Sequence, residues 1–456
     1  MPNNSTTDTR KMLAEDLLNV VEDAVTEAVS LTEQQDVQLR DLERVTLTAL
    51  KRIGQQLLQG LVEACQPAEP EASVPCRCGG AATYVRQRTG TVLTWVEQIQ
   101  VTRAYYLCAT CRRGTCPLDE QLGFRAGALS ADLQEAVALV GVHLPFEVAS
   151  DLFERLTHVS LSDNAVRQAT EQIGQERLDA DEATVSAAWH PRRLELPAGP
   201  AEAPERLYGS LDETSVRTEA GWRKPKLGSW YTTDSRPADE PPEEWKPQAE
   251  AISYYADMLE AEDFGRLLYV TGVARGADRA KELVFVADGA PWIWKLVAEH
   301  FPHAVQIVDW YHAAERIWKV AHAAYGQGTD LATTWANQRL TELWHGHVDK
   351  VIAACEPHAH PERDEDTASE AITYFRNNGH RMRYPEFRAR GYQIGSGTIE
   401  SGCKRVIGAR LKQAGMTWTV EGARQVIKAR AMFFSGEWDK FCQQRQPGRR
   451  SYRRAA

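Results

Sequence analysis

Three acidic residues define the chemistry open to this chain: Asp212, Asp288 and Glu400. Asp212 follows the run Leu207-Tyr-Gly-Ser-Leu211, and Asp288 follows Leu283-Val-Phe-Val-Ala287. Glu400 closes Gly395-Ser-Gly-Thr-Ile, a glycine turn that leads into a helix. A continuous apolar run bounded by turn residues suits a strand buried on both faces. An aspartate at its end lies at the sheet rim, where open α/β sheets place their ligands. Oxygen donors at element ends suit hard cations. Two such ions, Mg²⁺ or Mn²⁺, about 3.5–4 Å apart can drive phosphodiester cleavage and transfer. In that arrangement Asp212 would bridge both ions, and Asp288 and Glu400 would each complete one. The same residue types also have plainer uses. Strand-end aspartates cap helices and form turns, and the helix dipole favours a glutamate in a first turn.

A second candidate centre is built from sulfur. Cys76-Arg-Cys78 and Cys108-Ala-Thr-Cys111 flank a hairpin-like stretch with strand character over 83–86 and 92–106. Two such turns match a zinc ribbon with a closed, structural four-thiolate site. The first pair has the less usual Cys-x-Cys spacing, so Cys116 or Cys65 could replace one ligand. Nine cysteines, five of them between Cys76 and Cys116, argue against a secreted disulfide framework. A third pair, Asp309 and His312, follows the apolar run Val305-Gln-Ile-Val308. Spacing of three puts both on one helix face, either to support the acidic site or as a satisfied core pair.

Charge points to a polyanion. From Arg376 onward the chain carries 18 Lys/Arg against 5 Asp/Glu, whereas the whole chain has 53 against 63. Lys404, Arg405, Arg410, Lys412, Arg424, Lys428 and Arg430 flank Glu400 and alternate with apolar residues, which favours phosphate-backbone contacts over a merely solvated face. Residues 445–456 read as a disordered basic tail. Other signals are discounted. Gly395-x-Gly397 lacks the context of a dinucleotide loop. His345, His347, Cys355, His358 and His360 fit no zinc spacing well. Trp292, Trp294, Trp310, Trp318, Trp335 and Trp344 read as core.

The elements that must position these residues fall into several blocks, and a chain of 456 residues with 43% hydrophobic content should form three or more domains. Residues 1–66 read as N-terminal helices after a disordered start (1–8), a helical hairpin or dimerisation arm. Residues 75–127 are ribbon-like. Residues 128–188 are helical, and the break at His158–Leu161 resembles a helix-turn-helix or belongs to an ordinary bundle. A linker rich in Ala, Pro and Glu precedes Arg206. Residues 206–320 begin an α/β core, with helices expected over 264–274 and 277–283 and a surface loop over 234–250. Residues 321–385 form a helical insertion, 386–435 complete the core, and 436–456 form a basic tail. No apolar run approaches the roughly 18 residues that span a bilayer, so a soluble, cytoplasmic protein is expected.

Four motifs in this order are specific: Gly209-Ser-Leu-Asp212; Val286-Ala-Asp288-Gly-Ala-Pro-Trp-Ile-Trp294; Ile307-Val-Asp309-Trp-Tyr-His312; and Gly395-Ser-Gly-Thr-Ile-Glu400-Ser-Gly-Cys-Lys404. Together they resemble the ISKra-type bacterial insertion-sequence transposases, relatives of the Mutator-like group of DDE enzymes. The cysteine segment followed by Pro117-Leu-Asp-Glu120 is similar to that family's zinc-binding part, and Asp309 and His312 resemble its auxiliary motif. The resemblance covers about residues 76–435. It implies a multidomain α/β protein: an RNase H-like catalytic core with an all-α insertion between Asp288 and Glu400, preceded by a zinc ribbon and helical segments. It further implies Mg²⁺-dependent cleavage at element ends and strand transfer into target DNA. Double-stranded DNA is then the expected partner, with a homo-oligomer, at least a dimer, assembled on it. Two rival readings are a catalytically silent DNA-binding protein derived from a transposase and an RNase H-like nuclease that cuts without joining.

Overall fold

A computed structural model describes residues 4–33, 36–67, 69–124, 127–190, 195–234, 247–360 and 366–445. The chain forms two compact units, one of residues 1–169 with 440–456, the other of residues 170–439.

The first unit opens with α1 (Asn4–Thr32) and α2 (Leu39–Ala64). Helix thus begins at Asn4, inside the stretch expected to be disordered (1–8). A four-stranded antiparallel sheet follows in the order β1 (Ser73–Pro75), β2 (Ala81–Thr94), β3 (Glu97–Cys108), β4 (Gly114–Thr115). The run expected as one strand over 92–106 turns at Trp95-Val96, where Glu97 takes a positive φ of 93°. Val92, Ile99 and Val101 face Leu118 of α3 (Pro117–Leu122), with Leu58 and Val62 of α2 against them. Helices α4 (Ala131–His143), α5 (Phe146–Thr157) and α6 (Asp163–Ala188) complete the series, and the division between units falls within α6. His158 ends α5 in the left-handed region at φ 57°.

The second unit is built on a mixed five-stranded sheet. Its strands are β5 (Arg206–Glu213), β8 (Lys226–Thr233), β9 (Ala249–Asp257), β10 (Glu282–Ala287) and β11 (Val305–Val308), in the order β11-β10-β5-β8-β9. β5, β8 and β9 form an antiparallel meander, and β10 and β11 extend it in parallel. A two-stranded ladder, β6 (Val216–Thr218) with β7 (Gly221–Arg223), lies between β5 and β8 in the chain. The parallel strands are joined through α8 (Pro291–His300), and α7 (Ala261–Ala274) precedes β10.

The core explains the unbroken apolar runs. Leu207, Tyr208, Leu211, Trp230, Val284, Phe285 and Val286 are fully buried, packed with Phe264 and Leu268 of α7 and Val297 of α8. Burial of each large side chain contributes on the order of 1.5–3 kcal/mol. Residues 277–283, expected as helix, instead turn and enter β10. Gly276 takes φ +82°, and Glu282 and Leu283 pair with Arg206 and Leu207, so sheet pairing overrides the helical pattern.

After β11 the chain is helical: α9 (Trp310–Tyr325), α10 (Asp330–Trp344), α11 (Val348–Cys355), α12 (Thr367–Asn378) and α13 (Tyr384–Ala389). Then come α14 (Gly397–Gly402), a π-helical stretch (Cys403–Gly408), α15 (Ala409–Leu411) and α16 (Val420–Phe434). None of the described helices is long and apolar enough to cross a membrane. Most of the loop expected over 234–250 and of the basic tail lies outside the described residues.

Candidate active site and cysteine cluster

Sheet register brings the first two carboxylates together. In the parallel pair, Val284 stands opposite Tyr208 and Phe285 opposite Gly209. Three residues further along each strand are Asp288 and Asp212, at the carboxyl ends of neighbouring strands. A neighbouring negative charge opposes ionisation of a carboxyl. The Asp212 carboxyl is raised above the ordinary range by burial and by Asp288, although the Glu213 N–H and the Cys403 thiol both donate to it.

The third carboxylate arrives on α14. Cys403 donates to Asp212 Oδ2 at 3.4 Å, and Glu400, three residues earlier, shares that helix face. The helix sits close to the sheet because residue 402 has no side chain. A Cβ there would lie 2.6 Å from the Tyr254 ring and 2.9 Å from Leu227 Cδ2. The π-helical stretch follows at once, a feature that often marks functional sites. Arg430 of α16 donates to Val406 O at 2.6 Å and to Arg405 O, satisfying carbonyls of that stretch.

Asp309 and His312 lie beside Glu400. The ligand atoms of the three fall within 4.8 Å of one another. Asp309 is fully buried and its oxygens are already engaged. It caps α9 by accepting from the Tyr311 and His312 N–H groups, and it accepts from the Ser396 N–H. Trp310 N–H donates to Ile394 O at 2.9 Å. Asp309 therefore ties the start of α9 to the turn that launches Glu400, and it acts by positioning. His312 Nδ1 stands 3.6 Å from Asp309 Oδ1 and 4.0 Å from Glu400 Oε1. It is buried without a hydrogen-bond partner, so these are charge contacts. The Asp309 carboxylate, helped by Asp288 and Glu400, raises His312 to about 9 and keeps it cationic at neutral pH.

Asp288 is engaged through one carboxylate oxygen. One oxygen accepts from Ala290 N–H at 2.9 Å and forms the turn into α8, as its cap-like position suggested. The other has no protein hydrogen bond among the described residues. Tyr374 of α12 donates to the Asp288 carbonyl at 2.9 Å, so the helical insertion supports the turn that carries the carboxylate.

Of the seven flanking cations, the structure leaves Lys404, Arg405 and Lys412 exposed. Three of the others are corrections. Arg410, Lys428 and Arg430 are 0%, 2% and 2% exposed and are not surface cations. Arg410 stacks on Trp418, its carbon 4.9 Å from the ring centre, and Arg430 serves the π-helical stretch. Lys428 pairs with Asp181 at 2.7 Å and Asp257 at 3.0 Å. Arg424 is half-buried and turned the same way, toward Asp257 and Glu182 at 2.6 and 3.2 Å. Sequence reasoning also missed Cys403, Ser396 and Tyr374. Only Cys403 carried a signal, its helical spacing of three from Glu400.

The cysteines form a separate centre. The sulfurs of Cys76, Cys78, Cys108 and Cys111 lie within 4.8 Å of one another. Cys76 and Cys111, and likewise Cys78 and Cys108, are 3.6 Å apart, close to the ~3.8 Å that tetrahedral bonds of 2.3 Å to one zinc would give. Two tight turns present them: Gly79 at φ 86° and Arg112 at φ 54° are left-handed, with Cys76 N–H bonded to Gly80 O and Cys108 N–H to Arg113 O. Backbone N–H groups of Cys111 and Thr110 lower the Cys108 thiol to about 6. The cluster can hold a metal ion. Cys116, buried at the start of α3, and Cys65, exposed after α2, stand outside it. The histidines at 345–360 and Cys355 form no such group among the described residues. Comparison of the chain with protein-family models and with curated proteins finds no match to either.

Proposed function

We propose that this chain is a DDE-type transposase that cuts DNA at the ends of an insertion sequence and joins them to target DNA. The observation that carries this reading is the placement of Asp212 and Asp288 at the carboxyl ends of neighbouring parallel strands, with Cys403, one helical turn after Glu400, bonded to Asp212. An antiparallel meander extended by two parallel strands, with helices inserted before α14, supports an RNase H-like core.

The donor set fits hard cations, because the three carboxylates supply oxygen alone and Asp288 retains an uncommitted oxygen. Asp212, Asp288 and Glu400 would hold two Mg²⁺ or Mn²⁺ ions, which when bound activate the attacking water or 3′-hydroxyl and stabilise the leaving oxygen. His312, cationic beside Glu400, attracts a phosphate oxygen and orients the glutamate. Asp309 fixes the turn before Glu400. Lys404, Arg405 and Lys412 hold the backbone of double-stranded DNA and make binding salt-dependent. In the first unit, the four cysteines would hold a structural Zn²⁺ that closes the ribbon. The active form is a homo-oligomer, at least a dimer on DNA, because two element ends must be processed together.

The test is incubation with duplex DNA carrying element ends, with Mg²⁺, and product mapping at nucleotide resolution. Asp212→Asn, Asp288→Asn and Glu400→Gln should each abolish cleavage while leaving DNA affinity within about threefold, a difference under 1 kcal/mol. Retained Mg²⁺-dependent cleavage in any of the three overturns the assignment. Cleavage without joined target products turns it into a nuclease.

A further inference from the structure

The β6–β7 ladder grows from the β5–β8 pair at the end that carries Asp212. Glu213 pairs with Lys226, Thr214 N–H donates to Pro225 O at 3.1 Å, and β6 begins two residues after Thr214. Its pleat sorts the side chains. Val216 and Thr218 are buried, whereas Arg217 and its cross-strand partner Trp222 share the outward face. Trp222 is 68% exposed, an unusual fate for the side chain with most apolar surface to bury. It is also unlike the six tryptophans discounted above, which are all buried or half-buried. Arg223 and Lys224 follow it into solvent. Lys224 pairs with Glu213 at 2.7 Å, while Arg217 and Arg223 have no ion-pair partner among the described residues.

The exposure is not that of a loose loop tip. Trp418 N–H donates to Arg217 O at 3.3 Å, Glu219 N–H donates to Trp418 O at 2.9 Å, and Thr218 Oγ1 donates to Gly221 O at 2.6 Å. Lys412 bonds Thr214 at the base of the ladder. A braced two-stranded element thus holds an indole and the Arg217 guanidinium on one exposed face, at the Asp212 end of the β5–β8 pair.

We propose that Trp222 and Arg217 form a binding site for an unpaired nucleotide of the DNA strand entering the acidic centre. The base stacks on the indole and the Arg217 guanidinium holds an adjoining phosphate. An unpaired base is the occupant that fits, because in a duplex each base face is covered by its neighbours, whereas a single strand leaves one free for an aromatic platform. The proposal deepens the transposase reading and rests on it for the role of the bound strand, but the binding itself can be measured without any cleavage.

The experiment uses the full chain without added divalent cation and an end-labelled oligothymidylate, followed by fluorescence anisotropy, with a duplex of equal length in parallel. Trp222→Ala should raise the Kd for the oligothymidylate on the order of tenfold, while Trp222→Phe stays within about threefold, as stacking on any aromatic ring predicts. Arg217→Ala should flatten the slope of log affinity against log salt by about 0.7. The proposal is overturned if Trp222→Ala binds as tightly as wild type, if Trp222→Phe loses as much as Trp222→Ala, or if the wild-type chain does not bind oligothymidylate. If these binding results hold while no element end is ever cut, the nucleotide site stands and the transposase reading falls. Cleavage that is abolished by Asp212→Asn but insensitive to Trp222→Ala, with binding unchanged, does the reverse.

Discussion

Replacing Lys428 with methionine separates a structural cation from a DNA-binding one. The unbranched side chain is shortened by one atom and loses its charge and its hydrogen-bond donors. In the native fold the ammonium lies 2.7 Å from Asp181 and 3.0 Å from Asp257, and both Lys428 and Asp257 are 2% exposed. Removing one partner from a buried ionic group typically costs about 3–5 kcal/mol, because the remaining charge is left uncompensated. Here Asp181 retains Arg177 at 2.9 Å and Asp257 retains Arg424 at 2.6 Å, so the lower end, about 3 kcal/mol, is expected. For a unit of this size that corresponds to a melting shift on the order of 10 °C, measurable by circular dichroism. Lys404→Ala is the control. Its exposed side chain should change stability by less than about 0.5 kcal/mol, yet weaken DNA binding and reduce the salt slope by about 1. A Lys428→Met protein that melts with the wild type but binds DNA more weakly would refute both the burial argument and the ionic one.

Further outcomes follow from the same geometry. Burial pushes the Asp181 carboxyl up, but Lys428 and Arg177 outweigh it and hold its folded pKa below the unfolded value of about 3.9. Its stabilising contribution is therefore fully present above that unfolded value and lost as pH falls through the lower folded one. Acid titration of unfolding should show wild type losing stability more steeply below about pH 4 than Asp181→Asn, and parallel curves would contradict it. Cys108→Ser should lower the zinc content of the purified protein and the stability of the first unit, without restoring or abolishing Mg²⁺-dependent cleavage chemistry in trapped, DNA-bound protein. Metal analysis that finds no zinc in the wild type removes this reading. Asp309→Ala deletes an N-cap and the tie to Ser396, so it should cost about 1–2 kcal/mol and also slow cleavage. Unchanged activity in a destabilised protein would reduce Asp309 to a cap alone.

Much of the scaffold was legible because it depends on local pattern. Leu207–Leu211, Leu283–Ala287 and Val305–Val308 are apolar runs too short for helices, and each became a buried strand. Asp212 and Asp288 could be placed at strand ends for the same reason. The cysteine turns were legible from spacing, and the set read from it, Cys76, Cys78, Cys108 and Cys111, is the one that clusters, whereas Cys65 and Cys116, open as replacements in the sequence, stand outside it. Residues 277–283 misled because a helical pattern of this length is weaker than pairing with β5.

The fate of the cations shows the limit most clearly. Lys404 and Lys428 look alike in a sequence, each a lysine among apolar neighbours near Glu400. Which one meets solvent depends on what packs against it, and Asp181 and Asp257 come from segments far away in the chain. The sequence by itself determined which side chains are chemically able to act, and that an acidic set and a thiol set exist. Only the tertiary structure decided their company. The β5–β10 register sets Asp212 beside Asp288, the missing side chain at Gly402 lets α14 reach the sheet, and Asp309 ties the turn before Glu400. Periodicity governs neighbours along the chain, but long-range packing decides which distant groups share one environment, and charge chemistry depends on that environment.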